Sequence, residues 1–236
     1  MKNQKEAKKN AAELAKNRYI LCEDTPFQAK EAYKALRTNV MFSLPGQGCK
    51  CVGVSSAVPS EGKSTTAINL AISLAQIGKR VLLVDADMRI PSVAGRLKIK
   101  GTPGLSDFLV GEAKIDDAVR SVEEYQVHAL PAGKIPPDPT GLLEAKQLEH
   151  LFAAVRKIYD FVIVDLPPVN SVPDAVILAR YIDGYLLTVR EKVTKHKHVA
   201  ETLKQLKLAN ANMIGFVATR GIQSRDHYNK HTKRYE

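Results

Sequence analysis

The sequence of 236 residues has few aromatic side chains and few cysteines, and its apolar runs are short. Aromatic residues make up 6% of the chain, so a hydrophobic core must be built mainly from Val, Ile, Leu and Ala. No run approaches the roughly 18 apolar residues of a membrane-spanning helix. The charged N-terminus is not followed by an apolar segment of the signal-peptide type. We therefore expect a cytoplasmic protein.

Cysteine is scarce as well, and the sequence has only Cys22, Cys49 and Cys51. Three cysteines cannot all pair within one chain. Cys49 and Cys51 are separated by a single residue, which is the wrong spacing for a zinc knuckle. We therefore expect reduced thiols.

Acidic residues are outnumbered, with 25 Asp and Glu against 35 Lys and Arg, which gives a formal net charge of +10. The excess is concentrated at the two ends of the sequence. Residues 1–18 contain six basic and two acidic side chains, and residues 190–236 contain eleven and four. A basic surface favours anionic partners, namely nucleic acid, the inner membrane leaflet or polyphosphate. Charge alone does not distinguish between them.

Short apolar runs alternate along the sequence with longer segments of helical periodicity. Several runs are apolar throughout, as in strands that helices cover on both faces. The predicted strands are 51–56, 81–86, 126–130, 160–165, 184–189 and 213–218. The predicted helices are about 26–44, 64–77, 141–157, 173–182 and 195–208. This alternation predicts an α/β fold with a doubly wound, mainly parallel sheet.

A glycine-containing turn joins the first predicted strand to the next helix. Residues 57–65 read AVPSEGKST and match the Walker A pattern G-x-x-x-x-G-K-[ST], with Ala57 in place of the first glycine. Backbone N–H groups and the helix N-terminus surround the β-phosphate of a nucleotide in this pattern. Lys63 then contacts the β- and γ-phosphates, and Ser64 binds Mg²⁺. The predicted nucleotide-binding residues are Pro59, Ser60, Glu61, Gly62, Lys63, Ser64 and Thr65.

Two later strands end in carboxylates. Asp85 and Asp87 follow one apolar run, and Asp165 follows another. The carboxyl ends of parallel strands meet at one edge of a sheet, where ligands of doubly wound folds bind. We therefore expect these three carboxylates to lie together beside Ser64 and a metal-bound nucleotide.

These motifs resemble those of the bacterial tyrosine kinases, the cytoplasmic kinases of capsule and exopolysaccharide assembly. That family combines a Walker A motif with a Walker A′ motif, an apolar run followed by D-x-D-x-R, and a Walker B motif, an apolar run followed by D-x-P-P. Residues 82–89 read LLVDADMR, and residues 162–168 read VIVDLPP. The A′ motif is the discriminating one, since most P-loop proteins lack it. The resemblance covers roughly residues 25–220.

The resemblance implies a P-loop NTPase of the MinD/ParA-like type that transfers phosphate from ATP, with Mg²⁺, to protein tyrosines. Lys63 stabilises charge on the phosphoryl oxygens in this mechanism. Ser64 and Asp165 hold Mg²⁺, and one of Asp85 and Asp87 accepts the tyrosine proton while the other helps to place the metal. The implied catalytic residues are Lys63, Asp85, Asp87 and Asp165, and the implied metal ligands are Ser64, Asp87 and Asp165.

Two residues beside the motifs have open roles. Arg89 either neutralises the A′ carboxylates or the incoming phosphate, or is a surface residue. Thr219 follows the last strand where related nucleotide-binding proteins often carry an Asn that reads adenine. How this chain recognises the base is therefore an open question.

The chain divides into a basic mobile arm at 1–25, a kinase domain at 26–220 and a flexible tail at 221–236, because both ends are polar and lack an apolar period. The family's tail carries tyrosines that neighbouring subunits phosphorylate. Here the tail holds two, and the predicted phosphoacceptors are Tyr228 and Tyr235.

The family also forms a ring of subunits through an E-x-x-R-x-x-R motif. Glu31, Lys34 and Arg37 occupy its positions and lie on one broad helix face. The resemblance further implies an activator, the cytoplasmic segment of a transmembrane polysaccharide chain-length regulator. This partner would place the kinase at the inner face of the cell membrane, with protein tyrosines as substrates and no nucleic acid expected.

Two alternative functions remain open at this point. A MinD/ParA-type ATPase switch would transfer phosphate to water, but such proteins usually carry an extra lysine where this loop has Val58. A weakly catalytic scaffold would assemble with nucleotide and regulate a membrane polysaccharide machine.

Overall fold

A computed structural model describes residues 19–219 of the chain. All six predicted strands form, and a seventh joins them in one sheet. The strands are β1 (Lys50–Ser56), β2 (Val81–Asp85), β3 (Arg120–Val122), β4 (Val127–Leu130), β5 (Phe161–Asp165), β6 (Gly184–Arg190) and β7 (Met213–Thr219). Their order across the sheet is β3-β4-β2-β5-β1-β6-β7, and all neighbours are parallel except β3 and β4. The predicted doubly wound, mainly parallel sheet is confirmed.

Helices connect the strands. The α-helices are α1 (Phe27–Ser43), α2 (Lys63–Ala75), α3 (Val93–Leu97), α4 (Leu105–Leu109), α5 (Ile115–Ala118), α6 (Pro139–Leu143), α7 (Lys146–Ile158), α8 (Asp174–Ile177) and α9 (His196–Leu208). The predicted helix 141–157 is in fact two, α6 and α7. The predicted helix 173–182 is α8 followed by a 3₁₀ helix, Leu178–Tyr181. Strand β3 and helices α3 to α5 were not predicted, because elements of three to five residues are too short to show a period.

The sheet is covered by hydrophobic layers on both faces. Val162 and Val164 of β5 belong to one layer, and Ile163 between them belongs to the other, as the alternation of side chains along a strand requires. Helix α7 covers the first layer with a stripe of side chains at helical spacing, namely Leu148, Leu151, Phe152 and Val155. Helix α2 lies in the second layer and is buried on nearly every side, since α1 packs over it.

The described part of the predicted N-terminal arm is packed against α2. Ile20 and Leu21 are both buried. The N–H of Leu21 donates to Asn69 Oδ1 at 2.9 Å, and Asn69 Nδ2 donates to the carbonyl oxygen of Tyr19 at 2.7 Å. Residues 19–21 therefore belong to the folded domain, because two apolar side chains and one buried amide hold them there.

Replacing Asn69 with Ala removes both hydrogen bonds to this segment and leaves their backbone partners unsatisfied. We expect the free energy of unfolding to fall by about 1–3 kcal/mol, as measured by urea denaturation. Gln76→Ala, at the exposed end of the same helix, is the matched control and should change stability by less than about 0.5 kcal/mol. Equal effects of the two substitutions would show that these two hydrogen bonds contribute nothing to stability.

Candidate active site

The three central strands bring the motifs together. Strands β1, β5 and β2 are neighbours and run in the same direction, so their carboxyl ends meet at one edge. Asp85 at the end of β2 is in register with Asp165 at the end of β5. At the same edge, β1 leads into residues 57–62, which end at the start of α2. The parallel topology thus produces the convergence that the sequence predicts.

The loop from residue 57 to residue 62 has one position that requires glycine. Gly62 has a φ of +90°, and a Cβ there would lie 3.1 Å from Thr219 Cγ2. Ala57 does not adopt a positive φ, so alanine replaces the usual first glycine without strain. No side chain within residues 19–219 caps the N-terminus of α2. Its first N–H groups and the positive end of the helix dipole can therefore bind a phosphate.

Lys63, the first residue of α2, carries the positive charge of the site. Its Nζ lies 2.7 Å from Asp87 Oδ2, 3.6 Å from Asp165 Oδ1 and 3.4 Å from Ser64 Oγ. Burial lowers the pKa of Lys63, but the charges of Asp165 and Asp87 outweigh burial, so the pKa is raised. The side chain is therefore a protonated counter-ion that the carboxylates hold in place.

Asp165 is fully buried, and within the described residues its carboxylate oxygens have no hydrogen bond of ordinary geometry; their nearest polar neighbours are the Lys63 ammonium, at 3.6 Å, and the Ser64 hydroxyl. Burial raises the pKa of Asp165, and the charge of Lys63 opposes this effect. Buried polar atoms without partners are rare in proteins and call for an explanation. A divalent cation fits this position, because Mg²⁺ prefers oxygen ligands and is usually bound through one or two carboxylates plus substrate phosphates.

Asp85 faces the backbone of the following loop. Its Oδ1 accepts the N–H of Asp87 at 3.2 Å, and its Oδ2 accepts those of Ser92 and Val93, both at 3.0 Å. Burial, followed by the negative charge of Asp165, raises the pKa of Asp85 to about 7, although the backbone hydrogen bonds oppose the shift. This carboxyl group can therefore change protonation state near neutral pH.

Arg89 is an exposed residue, as one of the two interpretations of it predicts. Its Nε donates to Asp174 Oδ2 at 3.0 Å, and its Nη2 donates to Thr140 Oγ1 at 2.7 Å. Asp174 is fully buried, so this ion pair ties the loop after β2 to α8. Its guanidinium therefore contacts a buried carboxylate on a neighbouring helix and not the A′ carboxylates, and a contact with the incoming phosphate stays a prediction.

Arg96 is a residue of this edge that sequence reasoning missed. Its Nη1 donates to Thr65 Oγ1 at 3.1 Å, and its charge opposes the rise that burial causes in the pKa of Asp165. It lies on α3, which has five residues and no recognisable period. No signal in the sequence marked it as part of the site.

Comparison with known proteins assigns the chain to a family. Residues 52–214 match the AAA domain family. Tyrosine-protein kinase CpsD of Streptococcus agalactiae serotype Ia is 34% identical over 198 residues, which is 84% of each chain. Tyrosine-protein kinase YwqD of Bacillus subtilis is 37% identical over 187 residues, 79% of each chain. The chain belongs to the bacterial tyrosine-protein kinases.

Solved structures agree with this assignment. The kinase domain of Escherichia coli tyrosine kinase ETK has a TM-score of 0.78 at 28% identity, over 84% of this chain and 80% of that one. Cobyrinic acid a,c-diamide synthase of Mycobacterium smegmatis, with bound ATP analog and magnesium, has a TM-score of 0.62 at 21% identity, over 80% and 83%. The second likeness shows the fold alone. The predicted P-loop NTPase fold is confirmed.

In this tyrosine-kinase fold, the other predicted nucleotide-binding residues occupy the loop and the first turn of α2. Pro59 and Ser60 are exposed, whereas Ser64 is buried beside Lys63. Glu61 is also buried, and Thr65 contacts Arg96. Their contacts with nucleotide stay a prediction.

The residues predicted for a subunit interface lie on α1. Glu31 and Lys34 form an exposed ion pair at 2.7 Å, whereas Arg37 Nη1 donates to the carbonyl oxygen of Ser73 on α2 at 2.7 Å. Their role in self-association stays a prediction.

Two further expectations concern the tail and the membrane. Tyr228 and Tyr235 lie outside the described residues. Between residues 19 and 219, no helix is both long and apolar enough to cross a membrane.

The raised pKa of Asp85 predicts a pH dependence of stability. The folded protein keeps this proton to about pH 7, whereas the unfolded chain releases it near the ordinary value of 3.8. The stabilisation that protonated Asp85 provides is therefore complete below pH 3.8 and is lost as the pH rises from there towards 7. We expect the free energy of unfolding of the wild type to fall between pH 4 and 7 relative to Asp85→Asn, measured by urea denaturation without nucleotide.

Asp160→Asn is the control for this experiment. Hydrogen bonds from Arg80 lower the pKa of Asp160, so its stabilisation is lost only as the pH falls through the folded pKa, below 3.8. The difference between wild type and this variant should stay flat from pH 5 to 7. A flat difference for Asp85→Asn as well would contradict the buried environment described above.

Proposed function

We propose that this chain is an ATP- and Mg²⁺-dependent protein-tyrosine kinase that phosphorylates its own tail between subunits and regulates capsular or exopolysaccharide synthesis. One observation carries the proposal. The Lys63 ammonium, at the N-terminus of α2, lies 2.7 Å from Asp87 and 3.6 Å from Asp165. Membership in the tyrosine-protein kinases supports a tyrosine hydroxyl, rather than water, as the phosphate acceptor.

Ser64, Asp87 and Asp165 are the residues that would hold Mg²⁺. A hydroxyl and two carboxylates are hard oxygen ligands, which suit this ion. Two observations support the assignment: the oxygens of Asp165 lack hydrogen bonds of ordinary geometry from the described residues, and Asp87 lies beside the same Lys63 ammonium. When bound, Mg²⁺ neutralises charge on the β- and γ-phosphate oxygens.

When nucleotide binds, the Lys63 ammonium would leave its carboxylate partners and contact phosphoryl oxygens instead. There it would stabilise the negative charge that develops during phosphoryl transfer. The backbone N–H groups of residues 60–65 would hold the β-phosphate at the positive end of α2. Arg96, through its contact with Thr65, adds positive charge at the same helix turn. Positioning and electrostatics supply most of the catalysis, because the transition state of phosphoryl transfer is loose.

We assign proton acceptance from the tyrosine hydroxyl to Asp85. A general base works best when its pKa lies near the operating pH, and the pKa of Asp85 is raised to about 7. Its Oδ1 accepts a single backbone hydrogen bond and so keeps a lone pair, whereas Oδ2 already accepts two. Asp87, which contacts Lys63, is left to position the metal.

The proposed partners follow the family. The activator would be the cytoplasmic segment of a transmembrane polysaccharide chain-length regulator, which holds the kinase at the inner face of the cell membrane. Subunits would form a ring through Glu31, Lys34 and Arg37. The exposure of Glu31 and Lys34, at 45% and 52%, supports their availability to a neighbour.

Lys63→Met tests the proposed site. We expect it to abolish phosphotyrosine formation with ATP and Mg²⁺, because electrostatic groups of this kind contribute at least about a hundredfold to the rate. Lys204→Met, at an exposed position of α9, is the matched control and should keep wild-type activity. If the wild-type protein releases phosphate from ATP but forms no phosphotyrosine, it is an ATPase switch. If it binds ATP but neither releases phosphate nor forms phosphotyrosine, it is a scaffold.

Transfer between subunits is tested by mixing two variants, neither of which can phosphorylate its own tail tyrosines. One chain carries Lys63→Met with an intact tail, and the other is active but has Tyr228→Phe and Tyr235→Phe. About 15 residues of tail can extend up to roughly 50 Å, enough to reach a neighbour. We expect phosphate on Tyr228 or Tyr235 of the Lys63→Met chain, located by mass spectrometry. An unphosphorylated tail in the presence of the activator would refute these acceptors.

A further inference from the structure

The carboxylate of Glu61 lies inside the phosphate-binding loop instead of on its surface. The residue is 1% exposed, although glutamate is seldom buried without partners. Its Oε2 accepts the backbone N–H of Ala57 at 2.9 Å and that of Val58 at 3.1 Å. The side chain therefore ties the beginning of the loop to its end.

The other carboxylate oxygen of Glu61 contacts a different part of the fold. Oε1 accepts the hydroxyl of Thr194, which lies between β6 and α9. The Thr194 oxygen in turn accepts the N–H of Arg190 at 2.7 Å. One hydroxyl acts as acceptor and donor at once, so it connects the end of β6 to the loop.

The backbone of Glu61 is held by a third contact. Thr219, at the end of β7, donates its hydroxyl to the carbonyl oxygen of Glu61 at 2.8 Å. The same threonine packs within 3.1 Å of where a Cβ on Gly62 would be. The loop is thus fixed by the ends of two strands that carry none of the carboxylates of the site.

We propose that Glu61 and Thr194 are positioning residues, which hold the phosphate-binding loop in the conformation that receives nucleotide. The inference rests on the proposed nucleotide site. The loop needs such support because Ser60 adopts a φ of +66°, a conformation that serine rarely takes and that persists only when its surroundings enforce it. The backbone of Glu61 would then contact the nucleotide, while its carboxylate holds the loop in place.

The expected signature is a loss of affinity without an equal loss of rate. A ligand binds with an apparent affinity reduced by the fraction of molecules in the competent conformation. Removing the support lowers that fraction in the free protein. Lys63, Asp85 and Asp165 are unchanged, so transfer from bound ATP continues at nearly the original rate.

Thr194→Val and Thr194→Ser form the matched pair that tests the inference. Valine keeps the shape but can neither donate to Glu61 nor accept from Arg190, whereas serine can do both. We expect valine to raise the KM for ATP about tenfold, the effect of losing one hydrogen bond to a charged group, with kcat within about threefold of wild type. Serine should restore the KM to within about twofold of the wild-type value. Calorimetric binding of Mg²⁺ and a non-hydrolysable ATP analogue should show the same pattern.

A double-substitution cycle with Glu61→Gln shows whether the two residues act as one unit. We expect Thr194→Val to have a smaller effect on nucleotide affinity in the Glu61→Gln background, since the shared contact is already weakened. Additive effects, or wild-type affinity in a folded Thr194→Val protein, would overturn the inference while leaving the kinase assignment intact. If valine prevents folding, Thr194→Ala is measured against the same expectation. A wild type that binds no nucleotide would instead refute the proposed function.

Discussion

The ammonium of Lys63 lies between Asp87 and Asp165, and the arrangement of the active site depends on this contact. The parallel sheet brings Asp85, Asp87 and Asp165 to one edge, each at most 3% exposed. Buried carboxylates disfavour one another's charge, and they lower stability unless nearby cations compensate. Lys63 and Arg96 compensate in part: burial raises the pKa of Asp165, and the charges of both cations oppose this rise. Because three carboxylates face these two cations, the edge can also bind a divalent cation.

The position of Lys63 is in turn fixed by the fold. As the first residue of α2, it is placed by a helix that is buried between the sheet and α1. The residues just before it are held by Gly62, which approaches Thr219 closely, and by the buried carboxylate of Glu61. The packing of α2 and the hydrogen bonds of residues 57–62 therefore determine the position of the Lys63 ammonium relative to the carboxylates.

The sequence alone was sufficient to predict those features that a contiguous stretch of residues encodes. The six longer strands, the Walker motifs and the meeting of Asp85 with Asp165 follow from apolar runs and from the parallel direction they imply. Short elements such as β3 and α3 could not be predicted, because they contain too few residues for a period. Contacts between distant segments were also out of reach, since they depend on how whole elements pack. The contacts that could not be predicted are those of Arg89 with Asp174, Arg96 with Thr65, Glu61 with Thr194, and Ile20 and Leu21 with α2.

Within the described residues Asp165 is only partly compensated by Lys63, and we assign its missing partner to a nucleotide-bound metal. The stability of Asp165→Asn tests this assignment most directly. Urea unfolding of the variant and the wild type would be measured with and without Mg²⁺ and a non-hydrolysable ATP analogue. We predict that without ligands the variant is at least as stable as the wild type, because one of three mutually repelling buried carboxylates is removed while Asp87 still pairs with Lys63 at 2.7 Å. With both ligands, the wild type should gain more stability than the variant, in proportion to its tighter binding. A variant that is less stable without ligands and gains as much from them would contradict the claim.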